Sequence, residues 1–157
     1  MSNPDTLRYL DWTAMTPEDV EVWVAGQSAI RFPHSSKHCH FAVEDVQAAK
    51  VIGLVTFWFL HDEFDLAQFE IVIHPNLQRK GYATEAVRGL LNYAFKGLRV
   101  RRIIAECDAR NVPARGLLLK TGLRQESECI QDRSQKGQWV NTAGFALLKQ
   151  EYESSGH

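Results

Sequence analysis

The apolar residues of this chain recur with two spacings, one typical of strands and the other typical of helices. Short alternating or continuous apolar runs predict six strands, at residues 41–44, 51–59, 67–73, 101–107, 126–130 and 139–148. Helical spacing and end signals predict three helices, from Thr16 to Gly26, from Gly81 to Gly97, and over residues 112–121.

The order of these elements predicts an α+β fold with a mixed, mostly antiparallel central sheet and helices on both faces. Antiparallel strands come first, and strand–helix–strand–helix and a closing hairpin follow. Because a strand–helix–strand unit crosses over right-handed, strands 67–73 and 101–107 are expected to be parallel neighbours. Residues 27–40 are expected to form a loop, and residues 131–138 to separate the last two strands. The length of 157 residues predicts one domain over residues 1–157.

Composition restricts the possible partners and the compartment. A net charge of −1 gives no general attraction to nucleic acid or anionic lipid, so neither is expected as a partner. No apolar run approaches the roughly 20 residues needed to cross a membrane. The N-terminus has no signal-peptide pattern. Three cysteines without a CxxC spacing favour a reduced, cytoplasmic protein.

The stretch QRKGYATEA, residues 78–86, connects the strand at 67–73 to the helix that follows it. Backbone N–H groups at the beginning of a helix are unpaired, and the helix dipole is positive there, so this turn can bind an anion. The GxxxxGK[ST] and GxGxxG patterns of two common phosphate-binding loops are both absent. A single glycine is equally compatible with a simple connection between a strand and a helix.

Three segments extend the pattern around this turn: IHPNLQRKGYATEAVRGLLNYAF, RIIAECDARNVPARGLLLKTGL and GQWVNTAGFALLKQEY. In order and spacing they resemble the GNAT superfamily of acyl-CoA N-acyltransferases, over about residues 41–152. The similarity is greatest to the branch that acetylates the N-termini of ribosomal proteins, together with its relatives of unknown substrate. The resemblance implies an acetyl-CoA-dependent N-acetyltransferase that acetylates a primary amine, either a protein N-terminus or a small molecule.

The resemblance also implies where acetyl-CoA, the cosubstrate, binds; no metal is expected. The pyrophosphate would lie on the turn formed by Gln78, Arg79, Lys80, Gly81, Tyr82, Ala83 and Thr84. Gly81 would be glycine because the backbone must approach the phosphates closely. The two parallel strands would separate at their C-terminal ends, and the pantetheine arm would enter that gap beside the backbone of Ile71 and Ile73. Asn111 would contact the arm, although it also fits a plain helix cap.

Glu70 is the candidate general base. It lies on a mostly apolar strand beside the expected cofactor, where desolvation would raise the pKa of a carboxyl group. The alternative is that Glu70 faces solvent or pairs with a lysine. His74 is a second candidate by its ordinary pKa, but its place beside Pro75 is also that of a loop histidine.

Two positions depart from the family pattern. Where relatives carry a tyrosine or a serine after the asparagine, this chain has Leu118 and Ala114, and neither can donate a proton. Either another group protonates the departing thiolate or the thiolate leaves unaided. The departure therefore leaves open a module that binds acyl-CoA but has little or no activity.

The segment HSSKHCH contains His34, His38, Cys39 and His40, but its spacing is not an established metal-binding pattern. These residues are expected to line the substrate mouth, and a metal-responsive role is the weaker alternative.

The N-terminus is shorter than that of family members, which place a strand and a helix before a segment like RYLDW. Residues 7–12 could replace the missing strand; otherwise the strand at 41–44 would be an exposed sheet edge. Because either arrangement uncovers apolar surface, a homodimer that covers this region is expected.

Overall fold

The computed structural model describes residues 9, 15–27, 32, 38–60 and 65–156. Its helices are α1 (Pro17–Gln27), α2 (Tyr82–Asn92), α3 (Val112–Lys120) and α4 (Lys149–Ser154). Its strands are β1 (His38–Asp45), β2 (Lys50–Phe59), β3 (Leu66–Ile73), β4 (Arg102–Asp108), β5 (Arg124–Gln135) and β6 (Gln138–Leu148). A short 3₁₀ helix, Pro75–Leu77, precedes α2, and a π-helical turn, Tyr93–Gly97, continues it.

The six strands form one mixed sheet in the order β1-β2-β3-β4-β6-β5. The neighbours β3 and β4 are parallel, and the other strand pairs of the described sheet are antiparallel. The predicted α+β fold with a mixed sheet is therefore confirmed. Parallel pairing joins Leu66–Gln68 to Arg102–Ile104 and does not continue beyond those residues. A gap thus opens between the C-terminal halves of β3 and β4.

The main core lies between the sheet and α2. Large buried side chains from the strands, among them Phe57, Phe69 and Phe145, belong to one cluster with Val87 and Leu91 of α2. Leu118 of α3 belongs to the same cluster, so α2 and α3 cover the same face of the sheet.

Helix α1 lies on the opposite face, where the ring of Trp23 packs edge-on against His40 of β1, with centroids 4.7 Å apart. None of the helices in the described part of the chain has the length and apolar character needed to cross a bilayer.

The prediction of a loop over residues 27–40 is wrong at its C-terminal end. β1 begins at His38, and the register pairs His38 with Trp58 and Cys39 with Phe57. Cys39 is buried in the core, with 7% of its surface exposed. The beginning of this strand was not recognised because it is mostly polar. Only Cys39, between His38 and His40, is buried there, so the sequence shows no apolar run.

The prediction that residues 131–138 separate the last two strands is also wrong. β5 continues to Gln135, and Lys136 and Gly137, with φ of 49° and 77°, alone form the turn to β6. Positive φ at both central residues is the conformation of a tight two-residue hairpin. β5 was difficult to recognise because it is an exposed edge strand with bulges and mostly polar residues. The expected substitute strand, residues 7–12, lies outside the described residues apart from Tyr9.

Candidate active site

The turn between β3 and α2 is held open by its backbone conformation. Gly81 precedes the first residue of α2 with φ of 94°, and Arg79 has φ of 63°. The backbone of residue 81 is in the left-handed region, so any residue with a side chain would be strained there. A β-carbon at this position would nevertheless meet no other atom within 4 Å. Glycine is therefore favoured here by the backbone angle, and the space before it is free for a ligand to approach.

The amide groups of the turn form few bonds within the protein. Gln78 N–H donates to the carbonyl oxygen of Pro75 at 3.2 Å, and Glu85 N–H donates to that of Gly81 at 3.1 Å. Between them, the first-turn amides of Tyr82, Ala83 and Thr84 have no carbonyl of their own helix to bond. The turn thus presents hydrogen-bond donors at the positive end of α2, an arrangement that binds anions such as phosphate.

Side chains of this turn fix its position. The Gln78 side-chain amide donates to the carbonyl of Ile73 at 3.0 Å, so it ties the turn to the end of β3. The hydroxyl of Tyr82 donates to Asp45 of β1 at 2.7 Å. This bond raises the pKa of Tyr82 and lowers the pKa of Asp45. Arg79 and Lys80 are exposed, and Lys80 adds to the lowering of the pKa of Asp45.

The gap between β3 and β4 contains a cavity of about 140 Å³. Residues on the α3 side of the sheet include Ile71, Cys107 and Leu118, and those on the opposite side include Glu70 and Thr142. The cavity therefore passes from one face of the sheet to the other. Burial raises the pKa of the Cys107 thiol to about 11, so this thiol is neutral at physiological pH.

Asn111 and the two positions that depart from the family pattern all line this cavity. The side-chain oxygen of Asn111 accepts from the N–H of Ala114 at 3.2 Å and caps α3. Asn111 therefore caps α3, and it also lies beside the gap. Ala114 and the buried Leu118 also line the cavity, and neither offers an acidic proton there.

Glu70 lies at the wall of the cavity, as the prediction of a base requires. It is half-buried in β3, directly opposite Thr56 of β2, on the face away from α2. His74 is exposed, and its Nδ1 accepts from the N–H of Asn76 at 3.3 Å, capping the short 3₁₀ helix. The geometry therefore favours Glu70 over His74 as the candidate base.

Sequence reasoning missed several polar residues of the cavity wall. Arg133 donates to Glu106 at 2.7 Å, and Arg110 donates to Asp108 at 2.6 Å. The Asp108 side chain is only 2% exposed, and the Arg110 bonds lower its pKa. Alternation along β4 could have placed Glu106 and Asp108 on one face. Arg133 could not have been found, because its strand was not predicted to reach so far.

In the described part of the histidine-rich segment, the side chains do not all lie together. His38 and His40 point to one face of β1, and Cys39 points to the other. Among the described residues, no group of three histidine, cysteine, aspartate or glutamate side chains could hold a metal ion. His34 lies outside the described residues.

Comparisons with known proteins agree with this architecture. The model of the acetyltransferase (GNAT) domain family matches residues 1–124. An uncharacterized N-acetyltransferase of Bacillus subtilis (strain 168) is 31% identical over 96% of this chain and 85% of its own length. Spermidine N(1)-acetyltransferase of Escherichia coli (strain K12) is 28% identical over 76% of this chain and 63% of its own length. The chain therefore belongs to the GNAT acetyltransferase family, and it is an acyltransferase enzyme.

Solved structures share the fold. A GNAT-family acetyltransferase from Bacillus anthracis superposes with a TM-score of 0.82 and 26% identity, over 95% of this chain and 84% of that one. Spermidine N-acetyltransferase from Vibrio cholerae, solved in complex with CoA and spermine, gives a TM-score of 0.81 over 97% of this chain and 87% of that one. At 23% identity the second similarity concerns the fold alone.

Proposed function

We propose that this protein transfers the acetyl group of acetyl-CoA directly to the nitrogen of a primary amine. The observation that carries the proposal is that the turn and the gap lie at the same end of β3. The open turn at Gly81 lies just beyond the C-terminal end of β3, where the gap between β3 and β4 leads to Glu70. An anion-binding turn next to a narrow slot fits a cosubstrate with a pyrophosphate and a long thin arm.

The turn provides the proposed cofactor contacts. The amides from Arg79 to Thr84 would bind the pyrophosphate, with Arg79 and Lys80 adding positive charge. The side chains of Gln78 and Tyr82 act indirectly, since they hold the turn in place. In the gap, the backbone of Ile71 and Ile73 and the residue Asn111 would line the arm.

The chemistry assigns a task to each group of the cavity. Acetyl-CoA supplies an activated acyl group, and the amine nitrogen forms its new bond to the thioester carbonyl carbon as the carbon–sulfur bond breaks. Glu70 would remove the proton that the amine must lose, and a backbone N–H near Ile71 would stabilise the developing oxyanion. The thiolate of CoA, with an ordinary pKa of about 8.5, leaves without a strong acid. Leu118 and Ala114 are compatible with this scheme.

We propose a small polyamine as the first acceptor to test, because two relatives carry spermidine in their names. The cavity holds only about 140 Å³, and the Glu70 carboxylate lies on its wall, which suits a thin cationic chain. The β4 carboxylates Glu106 and Asp108 are already paired with Arg133 and Arg110. A protein N-terminus, the acceptor implied by the ribosomal-protein branch, is the competing choice. The cytoplasm is the proposed location, since the described cysteines are free thiols and reduced proteins are typical there.

Release of free thiol from acetyl-CoA tests this function directly. Purified protein would be assayed with spermidine, other primary amines and short peptides that have free amino-termini. Turnover with an amine and none without it is the expected result. Turnover with peptides but not with polyamines would identify a protein N-terminus as the acceptor, as in the ribosomal-protein branch. No turnover with any amine would overturn the proposed reaction.

A second candidate function is a module that binds acyl-CoA without useful turnover. The observation that favours it is the absence of a proton donor at Ala114 and Leu118, at the wall of the cavity. The same assay separates the two candidates when it is combined with a thermal-shift measurement. Stabilisation by CoA without thiol release would support the module, and stabilisation with thiol release would support the enzyme.

We also propose that the protein forms a homodimer through β1. Of the two edge strands of the described sheet, β5 is bulged twice and rich in charge, which opposes edge-to-edge pairing, whereas β1 borders an apolar groove of about 710 Å³. Phe41, Val43 and Tyr93 line that groove. Light scattering should give twice the monomer mass of 17.9 kDa, and Ala42→Lys on the edge should reduce it. A mass of one chain for the unmodified protein would reject the dimer.

A further inference from the structure

Three polar side chains form a row across the sheet on the face opposite α2. The antiparallel register places His40 of β1 opposite Thr56 of β2, and Thr56 opposite Glu70 of β3. The next row of the sheet is apolar, with Ala42, Leu54 and Val72 in register. The polar row begins at the cavity wall, where Glu70 lies, and ends at the edge strand of the sheet.

A hydrogen-bond contact joins two members of this row, and the register places the third beside them. Nδ1 of His40 and Oγ1 of Thr56 are 3.1 Å apart, within hydrogen-bond distance. Thr56 is only 9% exposed, so water has little access to its hydroxyl. The β-carbons of directly opposed residues lie about 4.5–5.5 Å apart, so the Glu70 carboxyl group is within reach of the Thr56 hydroxyl. In this row Thr56 thus lies between Glu70 and His40.

His40 has the environment of a proton acceptor. It is half-buried under the ring of Trp23, and burial, followed by the nearby charge of His38, lowers its pKa. The imidazole is thus neutral near pH 7, with a lone pair available on one ring nitrogen. Charged groups on the described elements around it include Glu70 of β3 and, on α1, the acidic residues Glu18, Asp19 and Glu21. The strands β1 and β2 also carry Glu44, Asp45 and Lys50.

We propose that Thr56 and His40 form a proton relay behind Glu70, carrying the proton of the acceptor amine from the cavity to solvent. The inference rests on the proposed N-acetyltransferase function. Glu70 takes the amine proton and passes it to Oγ1 of Thr56, while the Thr56 hydroxyl gives its own proton to Nδ1 of His40. The imidazolium then releases its Nε2 proton to water, which leaves the remaining proton on Nδ1. Proton exchange with water returns the ring to the tautomer protonated at Nε2 before the next turnover.

The relay gives the positions distinct roles. Glu70 touches the reacting amine and is the catalytic base, whereas Thr56 and His40 act through it. The relay requires the tautomer of His40 that carries its proton on Nε2, so that Nδ1 can accept from the hydroxyl of Thr56. Protonation of His40 at low pH blocks the transfer, because imidazolium has no free lone pair.

Matched variants test the relay. Thr56→Val keeps the shape and removes the hydroxyl, Thr56→Ser keeps the hydroxyl, and His40→Gln removes the titrating ring. The value of kcat/KM for the acceptor would be measured between about pH 5.5 and 9, at saturating acetyl-CoA. Stabilisation by CoA in a thermal-shift assay checks that each variant is folded and binds the cosubstrate.

The expected result has three parts. Thr56→Val and His40→Gln each lower kcat/KM by about 10-fold at pH 7 and remove the decline at acidic pH that His40 causes. Thr56→Ser retains both the rate and the pH profile. The double variant is no slower than either single one, because two steps of one relay are not additive.

Three outcomes would overturn the relay while leaving the proposed function intact: pH profiles of unchanged shape, equal losses in Thr56→Val and Thr56→Ser, or additive losses in the double variant. Absence of turnover in the unmodified protein, with CoA stabilisation retained, would instead overturn the proposed function, and the relay with it. The two failures are therefore distinguishable in a single set of measurements.

Discussion

The turn at residues 78–84 and the polar row of His40, Thr56 and Glu70 both serve the same candidate site, but they are built differently. The turn is a continuous piece of chain, and its function depends on backbone amides and on the φ of 94° at Gly81. The row takes one side chain from each of three strands, and only the register of the sheet aligns them. The difference teaches that the proposed site would combine local backbone geometry for binding with long-range side-chain alignment for chemistry.

This comparison predicts a separation of effects. Changes in the turn should alter cosubstrate binding, and changes in the row should alter the rate while leaving binding intact. Gly81→Glu and Glu70→Gln test that separation, and Leu118→Tyr and Asp108→Asn, with smaller expected effects, test residues of the cavity wall beside the row.

Gly81→Glu should abolish binding of acetyl-CoA. It places a side chain in the left-handed region and puts a negative charge before the amides that would bind phosphates. For the unmodified protein, acetyl-CoA at about 100 times its dissociation constant should add roughly 2.7 kcal/mol of stability, or about 5–10 °C in melting temperature. The variant should show no such shift. Gly81→Ala is the control for the backbone angle without the charge, and a normal shift in Gly81→Glu would contradict the binding role of the turn.

Glu70→Gln should reduce turnover by about 10²-fold or more, because the amide cannot take the proton of the amine. The thermal shift with acetyl-CoA should remain, since Glu70 lies on the strand rather than in the turn. Steady-state kinetics with the best acceptor, together with that shift, provide the measurement. An unchanged rate would assign deprotonation to water or to the acceptor's own ionisation.

Leu118→Tyr should raise turnover by a few-fold, because it adds a phenol at the cavity wall, where the thiolate would leave in the proposed reaction. Leu118 is buried, so the larger ring should also destabilise the fold by about 1–3 kcal/mol. Leu118→Phe is the control with the ring and without the hydroxyl. Equal rates in the two variants would mean that protonation of the thiolate does not limit the reaction.

Asp108→Asn should change how stability depends on pH. The bonds from Arg110 lower the pKa of Asp108 in the folded state, so its stabilising contribution is complete above the unfolded value of about 3.9. It is lost as the pH falls below that value and through the lower folded pKa. Urea unfolding between about pH 6 and 2.5 should show the unmodified protein losing its advantage over Asp108→Asn at the acidic end. A constant difference would show that Asp108 does not contribute through its charge.

A large part of the fold could be predicted from the sequence. Strand β3, the parallel pairing of β3 with β4, and the helix after Gly81 were predicted because each has a strong local apolar pattern. β1 and β5 were predicted too short, because edge strands carry polar residues that conceal the alternation. The same cause hid His40 within a predicted loop.

What the sequence by itself determined is the part of the site whose physics is local. Gly81 follows two cationic residues and precedes a helical apolar pattern, which indicates a helix N-terminus with open amides. Asn111 before Val112 and Pro113 indicates a cap for α3. Tertiary structure alone decided the rest. The pairing of Tyr82 with Asp45, 37 positions apart, and of His40 with Thr56, 16 positions apart, depends on strand register, which no local pattern encodes. Register follows from burying one face of every strand at once, so it is a property of the whole sheet.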